Sequence, residues 1–143
     1  AMVANKSTDQ THIGWVQALF AALGKIVLLK NENEIDAVTA ISGSGPAYVF
    51  NFIENLIEIA EELGLSAEVS KKLVIQTVVG AGILSGSTTL SPGRLRENVT
   101  SPAGTTQAAL EVLMDEKFGW KPIIKKAVHA AHNRSKELAG TKK

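Results

Sequence analysis

The chain has 143 residues, 45% hydrophobic and 20% charged, with 15 Lys and Arg against 14 Asp and Glu and no cysteine. This length suits one domain with a core of its own and is short for a two-domain enzyme. The net charge of +1, without a long basic run, gives no electrostatic footprint for nucleic acid. The lack of cysteine excludes a disulfide framework, a thiolate zinc site and a cysteine nucleophile.

The sequence also bears on location and domain limits. No apolar run approaches the roughly 18 residues of a membrane span, and the amino terminus lacks the charged-then-apolar order of a signal peptide. We therefore expect a soluble, cytoplasmic protein. Ala1 and Met2 are interpreted as a remnant of expression, and residues 3–143 as a single domain.

Hydrophobic periodicity predicts a chain made almost entirely of helices. Serine or proline precedes several periodic segments, and glycine follows some of them, as expected at helix ends. The predicted helices cover residues 11–23, 46–63, 67–84, 92–96, 107–114 and 122–138. Residues 25–30 are short and rich in β-branched side chains, which favours one short strand or extended segment. The predicted fold class is all-α with at most one short strand.

The segment Ser-Gly-Ser-Gly-Pro-Ala-Tyr, residues 42–48, offers G-x-G before a helix, as a dinucleotide fingerprint does. Tyr48 occupies the third glycine position, however, and no strand–helix–strand unit surrounds the segment. The preferred interpretation is that residues 42–45, Ser-Gly-Ser-Gly, form a tight turn and cannot be helical. A helix then begins at Pro46. Amides exposed at that helix start could still line a pocket.

The predicted helix after Ser66 is apolar nearly all round between residues 73 and 84. A helix without a polar face must be buried on most sides, and a chain of this length has few helices to surround it. Gly80 and Gly82 would let another backbone approach closely. We expect a homodimer with this helix near its interface; the alternative is the central helix of a monomeric bundle.

The loop at residues 100–106, Thr-Ser-Pro-Ala-Gly-Thr-Thr, is the better candidate for a site. Small and hydroxylated residues at a helix start present backbone N–H groups and hydroxyls near the positive end of the helix dipole. Such an arrangement suits a carboxylate or a phosphate. The alternative is a capping loop with Ser101 or Thr105 as the N-cap residue.

The other polar and aromatic candidates are isolated. His129 and His132 are spaced i, i+3 on the last predicted helix but lack a third ligand, so no metal site is predicted. Trp15 and Trp120 stand alone and are interpreted as packing anchors.

Four segments together resemble the carboxy-terminal domain of Δ1-pyrroline-5-carboxylate reductases, in that family's order. They are residues 36–48 (Asp-Ala-Val-Thr-Ala-Ile-Ser-Gly-Ser-Gly-Pro-Ala-Tyr), 76–77 (Gln-Thr), 92–96 (Pro-Gly-Arg-Leu-Arg) and 99–106 (Val-Thr-Ser-Pro-Ala-Gly-Thr-Thr). One departure is visible, since Ala103 stands where the family usually has glycine. A methyl group there restricts the loop if the position needs a positive φ.

The resemblance implies an all-α helical-bundle dimerisation domain, like the carboxy-terminal domain of 6-phosphogluconate dehydrogenase. It implies a homodimer, with some members of the family assembling into decamers. The implied activity is the last step of proline biosynthesis, in which NADPH or NADH reduces 1-pyrroline-5-carboxylate to L-proline. The cofactor is then bound mainly by an amino-terminal Rossmann domain that this chain is expected to lack, so the fragment alone should be inactive. The alternative is a non-catalytic helical homodimerisation module.

The resemblance also implies roles for the residues of the loop. Ser101, Gly104, Thr105 and Thr106 would bind the substrate carboxylate through amides and hydroxyls. Thr106 would also face the ring nitrogen and is the implied catalytic residue. Val99 would pack on the substrate ring, and Asn98 would approach the nicotinamide.

Overall fold

The computed structural model describes residues 1–140 and is helical throughout, apart from short connections. The chain divides into two compact units, one formed by residues 1–45 with the chain from Ala127, the other by residues 46–126. No strand occurs in the described chain, which confirms the all-α fold class. None of the helices among these residues is both long and apolar enough to cross a membrane.

In the first unit, helix α1 covers Gln10–Ala21 and is followed by the helical segment Glu32–Gly43. The Asp9 carboxylate accepts a hydrogen bond from the His12 amide (2.9 Å), which satisfies one of the free donors at the start of α1. The segment Glu32–Gly43 opens with a single turn, continues as the short helix α2 (Ile35–Val38) and ends in a wide turn (Thr39–Gly43).

The prediction that residues 42–45 cannot hold a helix is wrong. The Ser44 amide donates to the Thr39 carbonyl five residues earlier (2.8 Å), and the Ser42 hydroxyl donates to the Val38 carbonyl (3.0 Å). Helix α3, Gly45–Glu62, begins directly after this turn, one residue before Pro46. Each glycine in a helix costs about 1 kcal/mol relative to alanine. Because α2 already forms a helical turn, each residue added after it gains a hydrogen bond without a new nucleation cost.

The short segment predicted at residues 25–30 is extended, and its backbone pairs with the start of the chain. The Met2 amide donates to the Val27 carbonyl (2.9 Å), and the Leu29 amide donates to the Met2 carbonyl (2.8 Å), which makes Met2 and Leu28 a parallel pair. The interpretation of Ala1 and Met2 as an expression remnant stays a prediction, but Met2 is part of the folded backbone.

In the second unit, α4 and α5 begin where the sequence predicts. After α3, Gly64 adopts φ +94°. Ser66 then caps α4 (Ala67–Ser87), and Ser91 caps α5 (Pro92–Asn98), each accepting a backbone amide three residues later. Helix α6 covers Thr105–Leu113 and so begins two residues before the predicted Gln107.

Helix α7, Trp120–Gly140, begins two residues before the predicted Pro122. The Asp115 carboxylate accepts the amides of Phe118 (2.7 Å) and Lys117 (2.8 Å), which shapes the preceding turn. These two hydrogen bonds hold the pKa of the Asp115 carboxyl below its usual value, and the one from the Phe118 amide has the larger effect. Proline fits inside the first turn because amides there need no helical partner.

Few side chains are buried within the chain. In the described residues the buried apolar side chains are those of Ile13, Ala40 and Val74, joined by the hydroxyl-bearing Ser70. Helix α4, which the sequence predicts to be buried on most sides near a homodimer interface, leaves Leu73 53% and Ile83 65% exposed in the single chain. The interior of a small domain normally holds such side chains, so α4 offers an uncovered apolar surface.

Replacement by alanine at two serines should change the free energy of unfolding in opposite directions. The half-buried Ser135 hydroxyl donates to the Asp36 carboxylate (2.6 Å), joining α7 to α2, whereas the fully buried Ser70 hydroxyl has no partner in the described chain. We expect Ser135→Ala to lower the free energy of unfolding by about 1 kcal/mol, and Ser70→Ala to raise it by a similar amount. Denaturant unfolding of both variants at one protein concentration measures this, and equal signs would contradict it.

Candidate functional site

The candidate loop connects the end of α5 to the start of α6, and hydrogen bonds to α5 fix its first residues. The Val99 amide donates to the Arg96 carbonyl (3.3 Å), and the Thr100 amide donates to the Glu97 carbonyl (3.0 Å). The Thr100 hydroxyl also donates to the Arg96 carbonyl (2.6 Å). The loop therefore leaves α5 in a defined direction.

Ala103 has φ +57° and is the one described non-glycine residue with a positive φ. The sequence indicated that a methyl group at this position matters only if the backbone is left-handed, and the structure shows that it is. The Ala103 amide donates to the Gln107 side-chain oxygen (2.8 Å), while the Gln107 side-chain amide donates to the Glu111 carboxylate (3.2 Å). Gln107 thus holds the left-handed turn from inside α6.

Gly104 is the N-cap residue of α6 and leaves no room for a side chain. A Cβ there would overlap the Ser101 hydroxyl oxygen and lie 3.1 Å from the Ser101 carbonyl oxygen. The Gly104 amide donates to that carbonyl (3.1 Å), which closes a tight turn over residues 101–104. Glycine is needed here for close approach rather than for its φ of −88°.

The alternative of a capping loop is not what the structure forms. Neither Ser101 nor Thr105 is the N-cap residue, and no side chain caps α6. Thr105 and Thr106 are the first two residues of the helix, where backbone amides lack intrahelical acceptors. No acidic residue lies in this first turn, so no carboxylate within the turn compensates the partial positive charge of the helix start.

The predicted site residues fall into two groups along one segment. Asn98 ends α5 and Val99 follows it, both with exposed side chains. The other four lie at the turn and at the start of α6: Ser101 and Thr105 are exposed, Gly104 and Thr106 half-buried. The turn brings amides and hydroxyls of the second group to one helix start. Ligand binding by these six residues stays a prediction.

Sequence reasoning missed Gln107. Its spacing from Gly104 matches the position from which a glutamine side chain reaches back across a helix start, a recognised sequence signal. In contrast, the segment at residues 42–48 is helical and does not form a fingerprint loop. Among residues 1–140 no group of three potential metal ligands comes together.

Comparison with known proteins extends the resemblance seen in the sequence. The family described as "Pyrroline-5-carboxylate reductase dimerisation" matches residues 32–138, about three-quarters of the chain. The chain belongs to this family.

Among its relatives, the pyrroline-5-carboxylate reductase of Synechocystis is 43% identical over 138 residues, 96% of this chain and 51% of the relative. That of Arabidopsis thaliana is 45% identical over 87% of this chain and 44% of the relative. The chain thus spans about half the length of the curated relatives it matches.

Solved structures of the family share the fold. A pyrroline-5-carboxylate reductase from Coxiella burnetii superposes with a TM-score of 0.89 at 40% identity, over 95% of this chain and 50% of the other. A pyrroline carboxylate reductase from Plasmodium falciparum, solved with NADP bound, gives 0.82 at 38% identity, over 94% and 50%.

The left-handed backbone at residue 103 yields a prediction with a matched control. Alanine in that conformation costs about 1–2 kcal/mol, partly offset by the greater freedom of glycine in the unfolded chain. We expect Ala103→Gly to raise the free energy of unfolding by about 0.5–1 kcal/mol. The same change at Ala109, inside α6, should lower it by about 1 kcal/mol. Thermal unfolding compares the two, and destabilisation by Ala103→Gly would contradict the strain.

Proposed function

We propose that this chain supplies the oligomerising and substrate-binding half of a pyrroline-5-carboxylate reductase, which reduces 1-pyrroline-5-carboxylate to L-proline with NADPH or NADH. The observation that carries the proposal is the loop before α6, where free amides and hydroxyls surround a helix start that has no carboxylate in its first turn. The family membership and the relatives' names support the same reaction.

The loop would hold the substrate by its carboxylate. The amides of Thr105 and Thr106 point along the axis of α6 toward its start, as in anion sites at helix N-termini. The uncharged hydroxyl groups of Ser101, Thr105 and Thr106 are further hydrogen-bond donors. Gly104 contributes by admitting Ser101 close to the turn. A carboxylate bound in this way requires no basic side chain.

The remaining residues would act on the ring and the cofactor. The Thr106 hydroxyl is proposed to face the ring nitrogen, where a hydrogen bond stabilises charge as the C=N bond is reduced. Val99, exposed in the single chain, would pack on the ring and exclude water from it. Asn98, at the end of α5, would approach the nicotinamide. The protein's part in such a reaction is to orient the imine carbon toward the hydride donor.

The nicotinamide dinucleotide, when bound, supplies the hydride. The described residues do not fit its phosphates well, because the only G-x-G segment before a helix is itself helical, at residues 39–45. We therefore propose that a Rossmann domain, in the other half of a protein as long as the relatives, holds the dinucleotide. The Plasmodium relative was solved with NADP bound, which supports a nicotinamide dinucleotide as the cofactor. A cytoplasmic location is part of the proposal.

The oligomer is proposed to be a homodimer built around α4, with a decamer of five dimers as the larger form. The exposed apolar side chains of this helix are the support within the chain. Its glycines leave room as well, since a Cβ at Gly80 or Gly82 would meet nothing within 4 Å in one chain. A second backbone can therefore come close at these positions.

The activity is tested by joining this chain to the first half of the Synechocystis relative and measuring reduction of pyrroline-5-carboxylate. In that fusion, Thr106→Val should lower kcat/KM about fivefold or more, because a lost hydrogen bond costs about 1 kcal/mol. Thr106→Ser keeps the hydroxyl and is the matched control. Equal kinetics for the valine and serine variants would remove Thr106 from the site. A folded but inactive parent fusion would favour the non-catalytic module.

The dimer is tested on the chain itself by light scattering. We expect a dimer at micromolar concentration, and Ile83→Glu should shift it toward a monomer because a charge cannot be buried unpaired at an apolar interface. Glu58→Lys, on the polar face of α3, is the control and should leave the mass unchanged. A monomeric parent chain would contradict the proposed assembly.

A further inference from the structure

Three residues spaced four positions apart join the loop before α6 to the body of that helix. The Gln107 side-chain oxygen accepts the Ala103 amide (2.8 Å), and the Gln107 side-chain nitrogen donates to the Glu111 carboxylate (3.2 Å). Residues 107 and 111 lie on one face of α6, because residues four apart are neighbours on a helix surface. Gln107 therefore connects the turn to the interior of the helix along a single face.

The first of these hydrogen bonds acts on a residue with an unfavourable backbone conformation. Ala103 has φ +57°, in the left-handed region that an alanine side chain disfavours. The cost of this conformation and the net gain from one hydrogen bond are of similar size. The bond from the Ala103 amide to Gln107 therefore decides whether the turn stays left-handed. Glycine at residue 103 would need no such support, because glycine adopts positive φ about as readily as negative φ.

Glu111 fixes which end of the Gln107 amide group faces the loop. A glutamine side chain ends in an oxygen that accepts and a nitrogen that donates, and a half-turn exchanges their places. The Glu111 carboxylate accepts the hydrogen bond from the nitrogen, so it holds the nitrogen on its own side. The oxygen is then left to accept the Ala103 amide. Without the Glu111 acceptor the reversed orientation, in which two N–H donors face each other, is no longer opposed.

Ala103 is the third residue of the tight turn that shapes the candidate site. The Gly104 amide donates to the Ser101 carbonyl (3.1 Å), which closes this turn. A turn with positive φ at its third residue changes direction if that residue relaxes to negative φ. The Ser101 hydroxyl, which a Cβ at Gly104 would overlap, would then leave its place beside the start of α6. The conformation of Ala103 thus fixes where Ser101 lies relative to the amides of Thr105 and Thr106.

We propose that Gln107 is a positioning residue for the substrate carboxylate, oriented by Glu111 and acting through the backbone of Ala103. The inference rests on the proposed function for the loop as the carboxylate site. Both polar atoms of the Gln107 side chain already have partners in the chain, so it acts without touching the substrate. It sets the fraction of molecules in which the donors have the binding arrangement, and the apparent affinity scales with that fraction. Its effect falls on KM, because a bound carboxylate holds the loop in place during the reaction.

Deuterium exchange of the chain alone tests the Ala103–Gln107 hydrogen bond without reference to activity. Gln107→Leu keeps a side chain that favours helix and removes the acceptor. We expect the Ala103 amide to exchange about tenfold faster in this variant than in the parent chain. Ala109→Gly weakens α6 through its backbone and is the control, in which that amide should exchange at most about twofold faster. Equal exchange in the parent and in Gln107→Leu would overturn the inference.

The fusion to the first half of the Synechocystis relative carries the kinetic test. We expect Gln107→Leu to raise KM for pyrroline-5-carboxylate about fivefold and to change kcat by less than about twofold. Partial unfolding would lower kcat instead, since fewer active molecules leave KM unchanged. Ala109→Gly should have the parental KM. An unchanged KM in Gln107→Leu, in an active parent fusion, would reject the positioning role and leave the proposed function standing.

A double-variant cycle separates action through Ala103 from a direct contact of Gln107 with the substrate. Ala103→Gly removes the strain that the hydrogen bond opposes, so in this background Gln107→Leu should raise KM by less than about twofold. A direct contact would cost the same in both backgrounds. Equal effects of Gln107→Leu with and without Ala103→Gly would therefore overturn the proposed route.

Exchanging the two side chains of α6 tests the role of Glu111. In the double variant Gln107→Glu with Glu111→Gln, a carboxylate at residue 107 can accept the Ala103 amide, and the amide group at residue 111 can donate to that carboxylate. We expect slow exchange of the Ala103 amide in this double variant, and faster exchange in Glu111→Leu. Fast exchange in the double variant would contradict the inference. An inactive parent fusion rejects the proposed function, and the exchange of the Ala103 amide then decides the role of Gln107 by itself.

Discussion

The structure depends on apolar surface that one chain cannot bury by itself. In α4, only Ser70 and Val74 are buried. Leu73, Val79 and Ile83 are between 46% and 65% exposed. Burying a large apolar side chain fully contributes about 1.5–3 kcal/mol, so the exposed parts of several such residues amount to several kcal/mol. That is comparable to the whole net stability of a small domain, about 5–15 kcal/mol. Folding of this chain and its oligomerisation are therefore expected to be linked.

The anion site proposed at the loop before α6 would need no charged side chain. Its donors are backbone amides and hydroxyls, and its shape comes from three local features: the left-handed Ala103, the close approach at Gly104 and the reach of Gln107 back to the Ala103 amide. All three features fix the backbone of the loop, and none of them involves a charged side chain. The proposed carboxylate site is therefore compatible with a net charge of only +1.

The sequence predicted those features that are set by residues close together in the chain. Helix starts at Ser66 and Ser91 were predictable because a cap and its amide are three residues apart. The turn at residues 39–43 was not, because glycine preference argues against a helix and only the continuing hydrogen bonds of α2 support one. The contact of Ser135 with Asp36 spans 99 positions. No local pattern encodes such a pair, nor the pairing of Met2 with residues 27–29.

The uncovered apolar surfaces of α4 and α1 differ in extent. Helix α4 exposes apolar side chains around much of its circumference, which requires neighbours on several sides, as when two copies of a helical domain interlock. Helix α1 exposes Trp15, Val16, Leu19 and Phe20 on one side, while Ile13 is buried. An apolar surface on one side of a helix needs a neighbour on that side only. The match of the dimerisation family begins at residue 32 and so includes α4 but not α1.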